Sequence, residues 1–377
     1  MISAFLTLAV VLAGIYALLD LALVRGLIRT SRIQNGMESQ TQSVSVLVCA
    51  RNEEAGIAPC LESILAQQYM GNWDLWIAND RSTDATSQIL EDYRRRFPER
   101  IHILAIDSVP HGHSPKKHAI TRLVEKCQGE ILLLTDADCI VPNGWIHGMI
   151  QNFDPFTDFV SGYSYFPQDS LLQGVQALDF LSHRTVDAAG IGLGIPITAC
   201  GQNLGYRRKL FLELGGFEGV QTVTSGDDDL LMHKLAAKNP KAIRYARDPA
   251  TFVWSTPAPS WAAAWEQRKR WASKTHHYSL PALLVLVPVF LFYVLIFLGL
   301  PLSLILLIIN GNCLLFLCFL FLWVWKTTWD ALVMGIGMRL FHAGSLWPYF
   351  PLTAILHVPV IVCAVLWGFR GKFQWKG

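Results

Sequence analysis

The sequence predicts an α/β domain, built on a mostly parallel sheet with helices on both faces, joined to transmembrane α-helices. Three observations carry this reading. Between residues 43 and 130, β-branched apolar runs alternate with stretches whose apolar residues recur at helical spacing, the order that gives parallel strands with crossover helices. Residues 2–24 and most of the chain after residue 280 are nearly unbroken apolar runs, long enough to cross a bilayer. Polar and acidic groups collect where the strands end, which is where ligands bind in open α/β sheets. The composition agrees: 52% hydrophobic and 16% charged over 377 residues is too apolar for an ordinary soluble protein. Net charge is +2 and no basic tract points to nucleic acid.

In chain order, the run at 2–24 is interrupted only by Asp20, and Arg25, Arg29 and Arg32 follow it. A cleavable signal peptide has the opposite order of charge and apolar run. The segment reads as an uncleaved anchor with its basic flank in the cytoplasm. Strands are expected at 44–48, 73–78, 101–105 and 131–135, with helices at 54–67, 83–97 and 117–127. Ser82 or Thr83 stands near the cap of the second helix, and Arg94, Arg95 and Arg96 at its end suit the helix dipole. Further on, 159–165 reads as a strand, 171–188 as a helix near the membrane and 261–274 as an amphipathic helix. The domain boundaries are thus an anchor at 2–24, a domain at 43–275 and a membrane region at 280–370. Within the last, spans are expected near 282–309, 312–325 and 350–369, with an amphipathic stretch at 329–342. Pro288 and Pro301 kink the first, and Asn310-Gly311-Asn312 turns the chain into the second. Three such spans after a cytoplasmic domain place Arg370, Lys372 and Lys376 outside, against the positive-inside tendency. The eight Cys show no zinc spacing, and read as buried, reduced thiols.

Chemistry gathers at the strand ends. The run Leu132-Leu133-Leu134-Thr135 stops at Asp136-Ala137-Asp138. Residues i and i+2 of a strand share a side, and two carboxylates so placed suit Mg²⁺ or Mn²⁺ beside a phosphorylated substrate. On spacing alone, a polar turn with two Asp fits equally. Ala50-Arg51-Asn52-Glu53 follows the first strand and Asn79-Asp80-Arg81 the second. Asp80 reads as a nucleoside ligand in preference to an Asx turn, and Lys117, after a Pro-containing loop, as either a phosphate contact or, with Lys116, a solvated helix start. Gly201-Gln202-Asn203 places an amide pair after a glycine that lets backbone approach a ligand. Asp227-Asp228-Asp229 opens a helix, where capping is one role for acids. Gln267, Arg270 and Trp271 lie at i, i+3 and i+4, on one helix face. Arg can fork onto diphosphate oxygens, and Trp can stack on a sugar ring. An interfacial helix with aromatic and basic residues is the alternative.

Taken together and in order, Val46-Leu47-Val48-Cys49-Ala50-Arg51-Asn52-Glu53-Glu54, Asn79-Asp80-Arg81-Ser82-Thr83-Asp84 and Thr135-Asp136-Ala137-Asp138 resemble the family 2 glycosyltransferases. The Gln-x-x-Arg-Trp helix is similar to that of the membrane-bound synthases of the same family. Asn79 and Arg81 depart from the usual residues, a further Asp and a small residue. The resemblance covers residues 43–275 and implies a GT-A (Rossmann-like) nucleotide-sugar domain. It implies a nucleotide diphosphate sugar donor, a uridine one, in a site made by Ala50, Arg51, Asn52, Glu53, Asp80, Lys117, Asp136, Gln267, Arg270 and Trp271. It further implies Mg²⁺ or Mn²⁺ at Asp136 and Asp138, and donor-sugar or acceptor contacts at Gly201, Gln202, Asn203 and Trp271. Asp228 is the implied catalytic base, with Asp227 as runner-up: counting from Asp227 places Leu231, Lys234 and Leu235 where the family pattern has apolar, basic and apolar residues. Neighbouring carboxylates are expected to raise the base's pKa. The resulting expectation is an inverting, multi-pass enzyme of the cell inner membrane, its catalytic domain cytoplasmic, with membrane lipids around it and a lipid or glycan acceptor. A processive polysaccharide synthase and a non-catalytic nucleotide-sugar-binding protein are the alternatives.

Overall fold

The computed structural model describes residues 2–32, 41–311 and 313–368. The chain begins with helix α1 (Ile2–Arg32). The α/β domain follows as β1 (Val44–Ala50), α2 (Ile57–Leu65), β2 (Trp73–Asp80), α3 (Thr86–Arg96), β3 (Ile101–Ile106), α4 (Pro115–Lys126) and β4 (Ile131–Asp136). Next come β5 (Cys139–Ile140), α5 (Trp145–Ile150), β6 (Phe159–Gly162), β7 (Ser164–Tyr165), α6 (Leu171–Leu193), β8 (Leu204–Arg207) and α7 (Arg208–Glu213). The domain closes with α8 (Asp229–Ala236), β9 (Ile243–Ala246), β10 (Val253–Ser255) and α9 (Trp261–Ser273), before α10 (Leu280–Asn310), α11 (Cys313–Leu340) and α12 (Phe350–Gly368).

Among the described residues, seven strands form the main sheet in the order β3-β2-β1-β4-β8-β6-β9. The first four run parallel, as the alternating pattern predicts. Beyond them the sheet is mixed, because β8 enters antiparallel to both β4 and β6. Apolar residues of β1 and β4 bury on both faces of this sheet, which is why these strands read as continuous hydrophobic runs. The expected strand at 159–165 is broken at Tyr163: β6 joins the main sheet and β7 a small sheet ordered β5-β10-β7. Asn203 is the cause. Its side chain lies where a Cβ on Gly162 would stand, 2.5 Å away, and its Nδ2 donates to Tyr163 O at 2.8 Å.

Helix α3 begins at Thr86, later than expected, with no side-chain bond from its N-cap Ala85. Ser82 and Thr83 do not cap it; they bond Asn52 instead, and Asp84 accepts from Thr86 N at 3.0 Å. Helix α6 runs past its expected end to Leu193 because Gly190 and Gly192 let it meet other backbone. A Cβ on Gly192 would stand 2.2 Å from Gly26 O of α1, so α1 and α6 cross at backbone contact. Thr30 Oγ1 donates to Ala188 O at 2.7 Å across this crossing.

Four helical segments are long and apolar enough to cross a membrane: Thr7–Arg32, Leu280–Asn310, Cys313–Leu340 and Gly344–Gly368. The short span at 312–325 and the amphipathic stretch at 329–342 are a single helix, α11. Its hydropathy is broken by Lys326 and Asp330, which pair with each other at 2.5 Å, so the polar side chains are satisfied inside the bundle. Gly311, at φ 71°, ends α10. Asn312 and the basic residues Arg370, Lys372 and Lys376 lie outside the described residues.

Candidate active site

Strand register fixes the rim of the site. Ala50 of β1 stands opposite Asn79 of β2, and Cys49 opposite Asp136 of β4. The ends of the three strands are therefore level, and the loops leaving them meet. Asn52 ties two of these loops: its Oδ1 accepts from Thr83 N at 2.8 Å, and its N donates to Ser82 Oγ at 3.2 Å. Glu53 N donates to Thr86 Oγ1 at 2.8 Å. Ala50 is buried, and Arg51 keeps a buried Nε with no hydrogen-bond partner. Asn52 and Arg81 adopt left-handed backbone, at φ 53° and 56°, which costs little for Asn but is uncommon for Arg. That geometry folds Arg81 back onto Asp80, with Nε to Oδ1 at 2.8 Å and Nη2 to Oδ2 at 3.2 Å. The residue that departs from the family pattern thus covers the expected nucleoside ligand.

Lysines at the start of α4 divide the work differently from expectation. Lys117 does not reach the rim. It is buried, and its Nζ donates to the carbonyls of Val220, Val223 and Ser225 at 2.9, 2.8 and 3.0 Å. Lys116 is the lysine in the site, 2.7 Å from Asp136 Oδ1 and 3.0 Å from Asp227 Oδ2. Burial alone would favour its neutral amine, but Asp136 and Asp227 outweigh this and raise its pKa well above the usual lysine range. The strand argument also stops one residue short: β4 ends at Asp136 and Asp138 sits in the following turn. Asp136 lines the cavity described below. Among the described residues, no three His, Cys, Asp or Glu side chains are grouped to hold a metal ion.

At the start of α8, the three acids separate by role. Asp228 caps the helix: Oδ1 accepts from Asp229 N at 2.8 Å and Oδ2 from Gly201 N at 2.9 Å, with Lys274 Nζ at 3.3 Å. A Cβ on Gly201 would stand 3.1 Å from Asp228 Oδ2, a tight approach that would press on the Asp228 carboxylate. The expected raised pKa is not found at Asp228. Burial pushes it up, but Lys274, the Asp229 N–H, Lys116 and Arg184 outweigh burial and hold it well below the usual carboxylate range. Asp229 is buried and fully engaged, accepting from Ala199 N at 2.7 Å, from Tyr278 and from Lys274 at 2.6 Å. Lys274 was not anticipated, although it follows Arg270 by four residues and so lies on the same helix face, opposite an acidic triplet.

Asn203 is a structural residue, contrary to the sugar contact expected of it. It is fully buried, with Nδ2 donating to Tyr163 O and Thr251 O and Oδ1 accepting from Trp145 Nε1. Asn203→Ala leaves Thr251 O and Trp145 Nε1 unpaired, while Tyr163 O keeps its bond from Val253 N at 3.0 Å, so we expect a loss of about 2 kcal/mol or more, read as a lower unfolding temperature, with donor affinity of the folded fraction unchanged. Gln202 does line the cavity; its Nε2 donates to Ser255 Oγ at 2.6 Å and its Oε1 has no partner.

Gln267, Arg270 and Trp271 of α9 line one cavity, as the spacing predicts. Arg268 lines the same cavity, paired with Asp179 of α6 and 4.2 Å from the Trp271 ring centroid. This pins the helix to α6, whose Phe180 and His183 also pack on Trp271. Trp261, at the start of α9, is exposed. The cavity measures about 440 Å³. One end holds Lys116, Asp136, Asp227 and Asp228; the other is walled by Leu286 and Phe290 of α10 and Ile361 and Val365 of α12. Charged chemistry and membrane-helix side chains therefore share one space.

A family profile described as Glycosyl transferase family 2 matches residues 45–215, and one described as Glycosyl transferase family group 2 matches residues 131–368. The chain is 27% identical over 238 residues to the beta-monoglucosyldiacylglycerol synthase of Synechocystis sp., covering 61% of this chain and 47% of that protein. It is 22% identical over 244 residues to the poly-beta-1,6-N-acetyl-D-glucosamine synthase of Staphylococcus epidermidis, covering 64% and 56%. The chain thus spans about half the length of the curated relatives it matches. Among solved structures, the mannosyltransferase PcManGT from Pyrobaculum calidifontis, in complex with GDP-Man and Mn²⁺, superposes with a TM-score of 0.60 at 17% identity, over 96% of this chain and 99% of that one. At that identity the likeness concerns the fold, which is GT-A with added membrane helices. With the longer profile running from the start of β4 to the end of α12, the chain belongs to glycosyltransferase family 2.

Proposed function

We propose that the protein transfers a sugar from a nucleoside diphosphate sugar, a uridine one, to a membrane lipid, inverting the anomeric carbon. The observation that carries this is the single cavity with the acid-and-base cluster at one end and the walls of α10 and α12 at the other. A donor brings a diphosphate, which suits Lys116 and Arg270; an acceptor with a hydrocarbon tail suits the apolar wall. Asp80 and the loop Ala50-Arg51-Asn52-Glu53 frame the nucleoside. Gln202, with its unpartnered Oε1, accepts from a hydroxyl of the donor sugar beside Gly201, and Trp271 shapes the acceptor opening.

Asp228 takes the proton from the acceptor hydroxyl. The freed oxygen pair attacks the anomeric carbon from the face opposite the diphosphate, and the bond from that carbon to the diphosphate oxygen breaks. The leaving group departs with its electron pair onto Arg270 and Lys116. Asp136, with Asp138 and Asp227 close by, fits a hard divalent cation of the Mg²⁺ or Mn²⁺ kind: the Lys116 ammonium already stands between Asp136 and Asp227, and two carboxylates completed by substrate phosphates are a usual Mg²⁺ set. Negative charge on the departing diphosphate would be neutralised by that cation when bound.

Arg25, Arg29 and Arg32 stand in the last turns of α1, at the end that leads into the catalytic domain, which supports a cytoplasmic domain on a multi-pass protein of the inner membrane. To test the function, the purified chain in lipid vesicles is incubated with labelled UDP- and GDP-sugars and the lipids are extracted. Label in a lipid carrying one sugar is the expected result. A long polymer held through many turnovers would instead favour a processive synthase, and binding without turnover a non-catalytic protein.

A further inference from the structure

Hydropathy alone makes α12 (Phe350–Gly368) a crossing of the bilayer, which puts the basic residues that follow it outside. Packing places the helix differently. Its 19 residues run about 27 Å at the usual helical rise, close to the thickness of the hydrocarbon core. Standing upright, a helix of that length carries its two ends to opposite surfaces.

Helix α6 marks one of those surfaces. Three close contacts lie along it. Gly192 meets Gly26, in the last two turns of α1; Thr185 fills the space of a Cβ on Gly337, in the last turn of α11; the Tyr349 ring fills that space at Gly174, in the first turn of α6 itself. Helix α6 is thus a crossbar over the ends of α11 and α1. It also belongs to the catalytic domain, since Ser161 Oγ of β6 donates to its Asp187 at 2.7 Å.

Both ends of α12 are held at the level of this crossbar. The chain enters α12 through the turn Gly344–Tyr349, where Tyr349 packs on Gly174 and its hydroxyl donates to Gln168 O at 3.3 Å. At the other end, a Cβ on Gly368 would stand 2.8 Å from Lys269 O of α9 and 3.2 Å from Ser273 N. Helix α9 is itself fastened to α6, by Arg268 to Asp179 and by Trp271 against Phe180 and His183. Its run Glu266-Gln267-Arg268-Lys269-Arg270 is too polar to enter hydrocarbon. Midway along α12, His357 meets the Tyr293 ring with centroids 5.4 Å apart, and Tyr293 belongs to the half of α10 that lines the catalytic cavity.

The sides of α12 suit a helix lying flat. Ile361, Ala364 and Val365 line the catalytic cavity. Val358 and Val362 are buried in the apolar cluster shared by α1, α10 and α11. Ile355, Leu366 and Trp367 are exposed, where a helix facing water would carry polar groups. Leu284, Val287 and Leu291 of α10 are exposed as well, and Val287 lines the same cavity as Val365, so the apolar surface continues from one helix to the other.

We infer that α12 lies in the plane of the bilayer, in the leaflet on the catalytic side. Ile355, Leu366 and Trp367 face acyl chains, while Ile361, Ala364 and Val365 close the catalytic cavity against the lipid. Among the described residues, α1, α10 and α11 make the crossings. The chain therefore leaves α12 on the side of the catalytic domain. Arg370, Lys372 and Lys376 follow on the same side as Arg25, Arg29 and Arg32, and the conflict with the positive-inside tendency disappears. Trp367 stands at the interfacial depth that tryptophan favours. The inference concerns where the site sits and is independent of which donor and acceptor it takes.

The test uses the full chain with one protease recognition site added after Gly377 and another inserted at Pro98, in an exposed turn of the catalytic domain. Sealed membrane vesicles of both orientations are treated with the protease. Both sites are expected to be cut in the same vesicles and spared in the others. A tail cut only where the Pro98 site is spared would overturn the inference. Depth is read separately, from nitroxide labels on Ile355→Cys and Leu366→Cys, after subtracting the labelling of the chain's own thiols. Both substitutions replace exposed side chains, and an unchanged unfolding temperature checks the fold. The two labels are expected at the same depth to within about 5 Å, whereas an upright helix would separate them by about 16 Å. A separation of that size would equally overturn it.

Discussion

Asp228→Asn is expected to lower turnover by about 10³-fold, within the range that general-base catalysis contributes, while nucleotide affinity by calorimetry stays near wild type. Asn caps helices as well as Asp does, so one of the two bonds that seat residue 228 can persist. Asp229 N donates to Oδ1 and Gly201 N to Oδ2, and a single amide oxygen can accept only one of them, so the unfolding temperature is read beside turnover. Beyond that one bond, what is lost is the capacity to take a proton. Full activity in Asp228→Asn would show that another group is the base, Asp227 being the first candidate. Asp227→Asn should behave differently, since Asp227 pairs with Lys116 beside Asp136: its main effect should be a weaker donor KM that added divalent cation partly restores. The depressed pKa of Asp228 has its own consequence. The carboxylate stays ionised below the ordinary value of about 3.9, so the acid limb of a pH–rate profile at higher pH belongs to some other group. For stability the sign is the same: the contribution of Asp228 is present above its unfolded pKa and lost only as pH falls through the lower folded value.

The sequence made the strand ends legible because each is marked twice, by an apolar run that stops and by polar residues that follow. Register in the parallel half of the sheet then brings Ala50, Asn79 and Asp136 level. The Gln267, Arg270 and Trp271 face was legible for a similar reason, since helical spacing places them together before any packing is known. Lys116 and Lys117 were not separable in this way. They are adjacent on a helix, so one turns toward the rim and the other away, and the choice depends on a loop more than a hundred residues later. Asn203 and Gln202 pose the same problem in the turn just before β8 (Leu204–Arg207), where no strand alternation assigns a side. Hydropathy misplaced the end of the second C-terminal span because Lys326 and Asp330 look like surface residues until Tyr16 and His357, from distant helices, are seen to pair with them. Local pattern was informative wherever a residue's partner lay on its own element or an adjacent strand, and silent where the partner came from far along the chain.

Lys117→Met should therefore damage the protein in a way that Lys116→Met does not. The three carbonyls that Lys117 binds belong to Val220, Val223 and Ser225, in the irregular segment that delivers Asp227 and Asp228 to the site. The start of α4 is stitched to the same segment twice more, through Ser114 N to Gln221 O at 2.8 Å and Ser114 Oγ to Thr224 O at 3.3 Å. A methionine fills a similar volume but donates nothing. Val220 O keeps its bond from Val223 N at 3.2 Å, so the carbonyls of Val223 and Ser225 are the acceptors left without a partner. A stranded acceptor costs about 1–3 kcal/mol when buried, and relaxation of the segment will recover part, so a net loss of about 2 kcal/mol is expected. In a domain of this size that corresponds to an unfolding temperature lower by about 4–8 °C, measurable by thermal unfolding in detergent. Turnover of the surviving folded fraction should also fall, because Asp228 is seated by the segment that Lys117 holds. Lys116→Met has the reverse profile. Its side chain is partly exposed and its partners Asp136 and Asp227 can turn to water or to a cation, so the unfolding temperature should hold while the donor KM rises. An unchanged unfolding temperature in Lys117→Met would refute the structural assignment of that lysine and return it to the phosphate role that its position in the sequence first suggested.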